Sequence, residues 1–244
     1  MPLPIIEVPT YTLSLLSTNE EIQYRPFLVK EEKILLIAME SENENESIKA
    51  VKQIVKNCVI SDIDIDTLPM IDLEYIFIQL RAKSIGEKSD VSFNCQKEGC
   101  SNIIHTSIKL DEINIIRHED HTNRIPITDK IGIIMKYPSF SSYSKYSLNK
   151  ESEAKNYFNL LIDCVDSIYD EDQVYSHRDI SRSEIVVFIE QLTQQQTKKI
   201  KKFFDTTPKI HKEITIKCDK CGEEKKIVLE NFSDFFGSDS LTSP

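Results

Sequence analysis

Residues 93–102 read FNCQKEGCSN and residues 216–224 read IKCDKCGEE. Together these two stretches hold four of the six cysteines of the chain: Cys95, Cys100, Cys218 and Cys221. Two cysteines separated by two to four residues can place both sulfurs on one tetrahedral ion, which is the usual spacing of a structural zinc site. Because more than a hundred residues separate the two pairs, one shared Zn²⁺ would join the middle of the chain to its C-terminal part.

The residues on both sides of each cysteine pair indicate β-hairpins. β-Branched residues alternate there with polar ones, in residues 90–93, 102–110, 213–217 and 225–229. Gly99 and Gly222 lie beside the cysteines, where a metal-binding turn often needs a positive φ. Two hairpins that meet at one ion form a zinc ribbon, which here has a large insertion between its halves.

Two disulfides, or four unrelated core thiols, are the alternative interpretations. Disulfides in such short loops suit secreted domains or redox enzymes. The first residues, MPLPIIEVPTYTLSLLSTNEE, lack a basic segment and are interrupted by prolines and Glu7, so we expect no signal peptide. No βαβ pattern surrounds CDKC to indicate a thioredoxin-type site. We therefore predict structural zinc, with Cys58 and Cys164 as buried thiols on apolar helical stretches.

Composition limits the classes of partner. The 244 residues include 40 acidic and 30 basic side chains, for a formal net charge of -10. Nucleic-acid binding needs lysines and arginines to neutralise phosphates, so we expect no nucleic-acid partner. The densest basic run, KKIKK at residues 198–202, falls at a predicted helix end, where cations interact favourably with the helix dipole. No apolar run approaches the length of a membrane span.

The order of predicted elements indicates one α+β domain over residues 1–244, with helices packed around the split zinc-ribbon unit. Residues 1–88 form an N-terminal hairpin and helices. The halves of the ribbon are residues 89–110 and 211–230, and residues 111–210 form a mostly helical insertion.

Several predictions concern that insertion. A helix is predicted from Asn149 to about Tyr169, and PSFSSYSKYS (residues 138–147) is predicted to be a surface loop. His118 and His121 are expected to be exposed loop residues. Ser181-x-x-Glu184 is a capping box that opens a further helix.

The chain carries little that indicates catalysis. It contains no GxSxG, HExxH, GxGxxG or GxxxxGK[ST] motif and no cysteine with a credible histidine partner. A zinc ion held by four thiolates keeps no open position for water. We therefore predict a non-enzymatic interaction protein.

Four blocks resemble the baseplate proteins of T4-like tailed phages. They are YRPFLVKEEKILLIAMES, VKQIVKNC, DLEYIFIQLRAKSIGE and KIKKFFDTTPKIHKEITIKCDKCGEEKKIVLENFSDFF. The resemblance covers most of the chain, includes both cysteine pairs, and is weakest from Arg117 to Asp179.

The resemblance implies a role in forming the baseplate hub of a contractile tail. Members are hub subunits or hub assembly factors, and both roles stay open here. The implied partners are baseplate hub proteins, and the implied location is the host bacterial cytoplasm late in infection or the tail baseplate of the virion. Candidate contact residues are the tyrosines of residues 137–146 and exposed apolar residues of the first helix.

A phage zinc-ribbon protein that binds nucleic acid, or assists transcription, is the competing hypothesis. It predicts salt-dependent retention on DNA or heparin, whereas the baseplate hypothesis predicts negligible retention. A metallohydrolase is a third hypothesis, and it would require metal-dependent turnover.

Overall fold

The computed structural model describes residues 6–40, 44–147, 152–230 and Asp234. Seven α-helices and eleven strands in small sheets lie in this part of the chain, which confirms the predicted α+β class. In chain order the elements are β1 (Tyr11–Ser14), β2 (Glu21–Tyr24), α1 (Val29–Glu40), α2 (Glu44–Cys58), α3 (Met70–Ser84), β3 (Lys88–Asn94), β4 (Ile103–Lys109), β5 (Asn114–Ile116), β6 (Arg124–Pro126), β7 (Gly132–Met135), α4 (Phe140–Ser147), α5 (Glu153–Asp163), β8 (Val165–Tyr169), β9 (Val174–Ser176), α6 (Arg182–Glu190), α7 (Gln194–Asp205), β10 (Lys209–Lys217) and β11 (Glu224–Leu229).

The chain divides into two compact units, which we describe separately. Unit 1 comprises the described residues within Met1–Ile65, Ile71–Ile116 and Lys209–Pro244. Unit 2 comprises Asp66–Met70 and the described residues within Arg117–Pro208. The sequence-based division into one domain over residues 1–244, with the segments given above, stays a prediction.

In unit 1, the predicted N-terminal hairpin is attached to α3 by one buried carboxylate. β1 and β2 pair antiparallel from Tyr11 with Tyr24 to Ser14 with Glu21. Asp72, in the first turn of α3, accepts the backbone N–H of Leu16 at 2.6 Å and also bonds Ser17. A buried carboxylate is stabilised by such donors because they replace the water that it has lost.

A buried ion pair joins the end of β2 to α1 and α2. The Arg25 guanidinium lies 3.1 Å from the Glu31 carboxylate, and the Glu31 side chain is fully buried. Glu31 also accepts the backbone N–H of Leu28 at 2.9 Å, and Arg25 donates to the backbone carbonyl of Asn57 at the end of α2. Burial acts to raise the pKa of Glu31, but the bonds from Arg25 and Leu28 outweigh it and hold that pKa below its usual value.

The helix α3 is buried on several sides, since its buried residues are not confined to one helical face. They are Asp72, Leu73, Ile76, Phe77, Ile78, Leu80, Arg81 and Ala82. The half-buried Glu74 also lies on this helix, and burial raises the pKa of its carboxyl to about 7. α3 therefore carries ionisable groups in positions where they affect stability.

The two predicted cysteine hairpins are present in unit 1. β3 pairs with β4 and β10 pairs with β11, both antiparallel. The strand β5, whose residue Ile116 pairs with Lys209 at the start of β10, was not predicted from the sequence. Strand β5 has only three residues, too few to show an alternating pattern.

Unit 2 contains an antiparallel sheet in the order β6-β7-β8-β9. One apolar cluster joins this sheet to α5, α6 and α7. Its buried members include Ile133, Met135, Leu161, Val165, Ile185, Ile189, Ile200 and Phe203. The capping box of Ser181 and Glu184 is present as predicted, and Thr193 with Gln196 forms a second one at the start of α7.

The predicted helix to Tyr169 is wrong in its last part. α5 ends at Asp163, and Val165–Tyr169 forms the strand β8 between β7 and β9. The apolar residues before and after Cys164 happen to fit one helical spacing although they belong to two elements. Pairing with β7 and β9 satisfies the backbone of β8, which the local pattern could not indicate. The described part of residues 111–210 therefore contains a four-stranded sheet in addition to its helices.

The segment predicted as a surface loop, residues 138–147, is instead mostly helix α4. Ser139 accepts the backbone N–H of Ser142 and so stabilises the first turn. Phe140 and Tyr146 are buried, and the Tyr146 hydroxyl donates to Asp163 at 2.6 Å. These inward side chains, rather than helix propensity, account for the helix.

The prediction that His121 is exposed is also wrong. Its Nε2 lies 2.8 Å from the Tyr137 hydroxyl, and its Nδ1 lies 2.9 Å from the hydroxyl of Thr206. The ring stacks on Phe203, with centroids 5.2 Å apart. Burial lowers the pKa of His121, so the folded chain favours the neutral ring. His118 is exposed, as predicted.

Replacing Glu31 with Gln should lower the free energy of unfolding by about 3 kcal/mol, because the half-buried Arg25 loses its counter-ion. Gln can still accept the N–H of Leu28, so the change isolates the charge. Urea unfolding of Glu31→Gln, Arg25→Met and the double variant measures the coupling. If the stability losses of the two single variants add up in the double variant, Arg25 and Glu31 are not energetically coupled, and this would contradict the buried ion pair.

Replacing Glu74 with Gln should make the protein less sensitive to alkaline pH. Folding raises the pKa of Glu74 from 4.5 to about 7, so the folded state holds the proton more tightly. That contribution is complete below pH 4.5 and is lost as pH rises through about 7. Unfolding at pH 5 and pH 8 should therefore show Glu74→Gln gaining stability relative to the parent at the higher pH. The exposed control Glu20→Gln should show no such gain.

Candidate metal centre

The four cysteines lie at the ends of the two hairpins of unit 1. Cys95 follows β3 and Cys100 precedes β4, while Cys218 follows β10 and Cys221 precedes β11. The turns are closed by backbone bonds, from Cys95 N–H to the Asn102 carbonyl and from Cys218 N–H to the Glu223 carbonyl, both at 2.8 Å.

Two glycines allow these turns to form. Gly99 has φ +78° and Gly222 has φ +72°, as the sequence predicts. An L-residue with a side chain rarely adopts this region, so glycine permits the close return of the chain after each pair of sulfurs. The Gly222 N–H also donates to the Cys218 carbonyl at 2.8 Å.

The structure brings all four predicted cysteines together. Their sulfurs lie within 4.8 Å of one another. The Sγ atoms of Cys95 and Cys221 are 3.7 Å apart, and those of Cys100 and Cys218 are 3.8 Å apart. Four ligands at the zinc–sulfur distance of about 2.3 Å would be separated by about 3.8 Å at the corners of a tetrahedron. The sulfurs therefore have the spacing that one tetrahedral ion needs.

The disulfide alternative does not fit this arrangement. All six cysteines are free thiols, and the close contacts join sulfurs of different hairpins rather than sulfurs of one loop. A disulfide would bring its two sulfurs to about 2.05 Å.

The environment of Cys218 favours a thiolate. The backbone N–H of Cys221, and then that of Lys220, donate to its sulfur. These bonds outweigh burial, which acts to raise the pKa, and they lower the pKa of the Cys218 thiol to about 6. The side-chain amide of Asn102 also donates to this sulfur at 3.5 Å. A thiolate is the form that binds a metal ion.

Asn102 is a supporting residue that the sequence analysis missed. Its amide bonds the Cys218 sulfur and the Asp219 carboxylate, so it joins the two hairpins directly beside the cysteines. Donors around metal-bound sulfur orient the ligand and stabilise its charge. Its position two residues after Cys100 was visible in the sequence, but its contact across the hairpins was not.

A small apolar cluster lies beneath the cysteines. Ile104 and Ile216 are buried there, and Phe93, Ile214 and Ile227 pack around them. These side chains come from both hairpins, so the hairpins share an apolar contact as well as the sulfurs. With so few buried residues, this cluster supplies a small share of the apolar burial in unit 1.

The predicted buried thiols Cys58 and Cys164 are both buried, and burial raises the pKa of each to about 12. Within the part of the chain that the structure describes, the four-cysteine cluster is the one group of three or more Cys, His, Asp or Glu arranged to hold a metal ion. Both ring nitrogens of His121 are already hydrogen-bonded, so this histidine is not available as a ligand.

The family model described as T4 bacteriophage base plate protein matches residues 8–237. The chain belongs to this family. The matched range includes both cysteine pairs and the YRPFLVKEEK block, and it confirms the resemblance in the sequence. No curated protein and no solved structure matches the chain. None of the helices in the described residues has both the length and the apolar character to cross a membrane.

Proposed function

We propose that this base plate family protein acts without catalysis in forming the baseplate hub of a contractile phage tail, through contacts with other proteins. The observation that carries the proposal is the family match over residues 8–237. Phage hub proteins are the proposed partners. The host cytoplasm, during late tail assembly, is the proposed site of action, and the virion baseplate is the location that the family suggests.

Zn²⁺ bound by Cys95, Cys100, Cys218 and Cys221 is the second part of the proposal. The spacing of the sulfurs and the preference of zinc for soft cysteine ligands support this ion. The ion would join the two hairpins into a split zinc ribbon and would supply a crosslink rather than a reaction, because four sulfurs leave it no position for substrate.

The outer face of α1 is the surface that we propose for hub contacts. Val29 is 79% exposed and Ile37 is 57% exposed, and Leu36 lies close to Val29 on this side of the helix. Solvent-exposed apolar residues grouped in this way are typical of protein interaction sites. Of the tyrosines suggested by the sequence, Tyr146 is buried and Tyr137 packs against His121 and Phe203, whereas Tyr143 is exposed and stays a candidate.

Replacing Cys218 with Ser should remove bound zinc and greatly lower thermal stability. Structural zinc sites contribute on the order of 10–16 kcal/mol of apparent binding free energy in peptides, and this free energy is coupled to folding. Elemental analysis and thermal unfolding of the purified chain measure both effects. A parent protein that contains no metal, or a metal-free variant of unchanged stability, would contradict the proposal.

The matched control is Cys164→Ala, which removes a buried thiol outside the cluster. It should retain one zinc per chain and lose only the stability expected for a small cavity, about 1 kcal/mol. Equal loss of zinc in both variants would mean that the four cysteines do not define the metal site.

Tagged protein recovered from phage-infected cells should carry tail hub proteins, which mass spectrometry of the eluate would identify. The double variant Val29→Asp/Ile37→Asp should lose these partners while keeping its thermal stability, because both side chains point to solvent. Recovery of polymerase or nucleic acid in place of hub proteins would favour the gene-expression hypothesis instead.

A further inference from the structure

A groove of about 640 Å³ lies between the helices of unit 2. Residues of α5, α6 and α7, together with the link between α6 and α7, form its walls. The apolar lining residues are Tyr157, Phe158, Ile189 and Leu192. The groove is therefore an apolar recess at the edge of the core of unit 2.

The aromatic residues of this groove are held in place yet remain accessible. Phe158 is 49% exposed and Tyr157 is 38% exposed. Tyr157 packs edge-on against Phe158 and Phe204, with ring centroids 5.8 Å and 6.4 Å apart. Phe204 in turn contacts the buried Phe203. Side chains fixed in this way lose little conformational entropy on binding, which is the property of an interface anchor.

The lysines of α7 differ in their partners. Lys199 donates to the carbonyl of Pro126 at 2.8 Å, and Lys202 forms an ion pair with Asp120. Lys198 and Lys201 instead line the groove. Neither has an ion pair with any residue that the structure describes, and both are exposed. The recess therefore combines apolar anchors with two ammonium groups that lack an anionic partner in the described chain.

The charge pattern favours a protein segment over a nucleic acid. Glu190 lines the same groove, and the Asp205 carboxylate is near enough to Tyr157 to contribute, after burial, to the raised pKa of its hydroxyl. Two exposed ammonium groups beside these carboxylates supply little of the positive charge that a phosphate backbone needs, whereas the apolar lining residues favour a segment with an apolar face.

We infer that this groove binds an amphipathic helix of a partner protein, with apolar residues seated on Phe158 and Leu192 and with carboxylates paired to Lys198 and Lys201. This is the helix-in-groove mode of recognition, in which apolar anchors supply affinity and flanking charges supply orientation. The inference rests on the proposed baseplate function for the identity of the partner, but its binding chemistry is a property of this chain alone.

The test is a titration of the full-length protein with fluorescein-labelled amphipathic peptides, followed by anisotropy. One peptide has leucines at helical i, i+3, i+4 and i+7 positions and glutamates elsewhere, and its matched control has lysines in place of the glutamates. A thymidine oligonucleotide is the third probe. The chain has no tryptophan, so Phe158→Trp provides one indole in the groove whose emission should shift to the blue when the acidic peptide binds.

The acidic peptide should bind saturably, less tightly at high salt, and about tenfold more weakly to Lys198→Glu/Lys201→Glu. The control Lys88→Glu/Lys136→Glu changes the net charge equally at exposed positions outside the groove and should bind as the parent does. Equal binding of both peptides, no saturable binding, or preferred binding of the oligonucleotide would each overturn the inference. Because no phage component is used, such a failure leaves the recovery of hub proteins as a separate test of the baseplate role.

Discussion

The approach of four sulfurs to within 4.8 Å of one another is the constraint on which the contact between the two cysteine hairpins of unit 1 depends. Four thiolates at this distance repel one another strongly unless a cation lies between them. The other contact that the hairpins share near the cysteines is the cluster around Ile104 and Ile216, together with the bonds of Asn102. A cation at the sulfurs would therefore convert a weak contact between two hairpins, far apart in sequence, into a fixed one.

The pairing of β5 with β10 explains how unit 1 can accommodate a long insertion. Ile116 at the end of β5 pairs with Lys209 at the start of β10, so the chain leaves unit 1 and returns to it at neighbouring positions. An insertion whose ends are adjacent can build its own core without straining its host. The cluster around Ile133, Val165 and Ile189 is such a core. Elsewhere in unit 1, the half-buried Arg25 pairs with the buried Glu31, so part of the YRPFLVKEEK block is structural.

The sequence was informative wherever a local rule applied. The glycine turns, the hairpins and the capping box of Ser181 each need only a few adjacent residues, and all were predictable. The failures required distant partners. β8 depends on β7, α4 depends on inward Phe140 and Tyr146, and His121 depends on Thr206. Even the meeting of the two cysteine pairs was predictable only because four thiols satisfy one ion, a chemical rule that acts across any separation in the chain.

The basic run of α7 shows why charge patterns need a structure. Residues 117–208 contain nearly equal numbers of acidic and basic side chains, so almost all of the net charge of -10 lies elsewhere in the chain. Of the lysines in this run, Lys202 alone lies in the last turn of α7, where the helix dipole favours a cation. The dipole does not explain why Lys199 and Lys202 find partners while Lys198 and Lys201 lie beside exposed aromatic rings. A complementary acidic segment does explain it, because two cations next to an apolar recess favour a ligand that is apolar on one face and anionic on its flank.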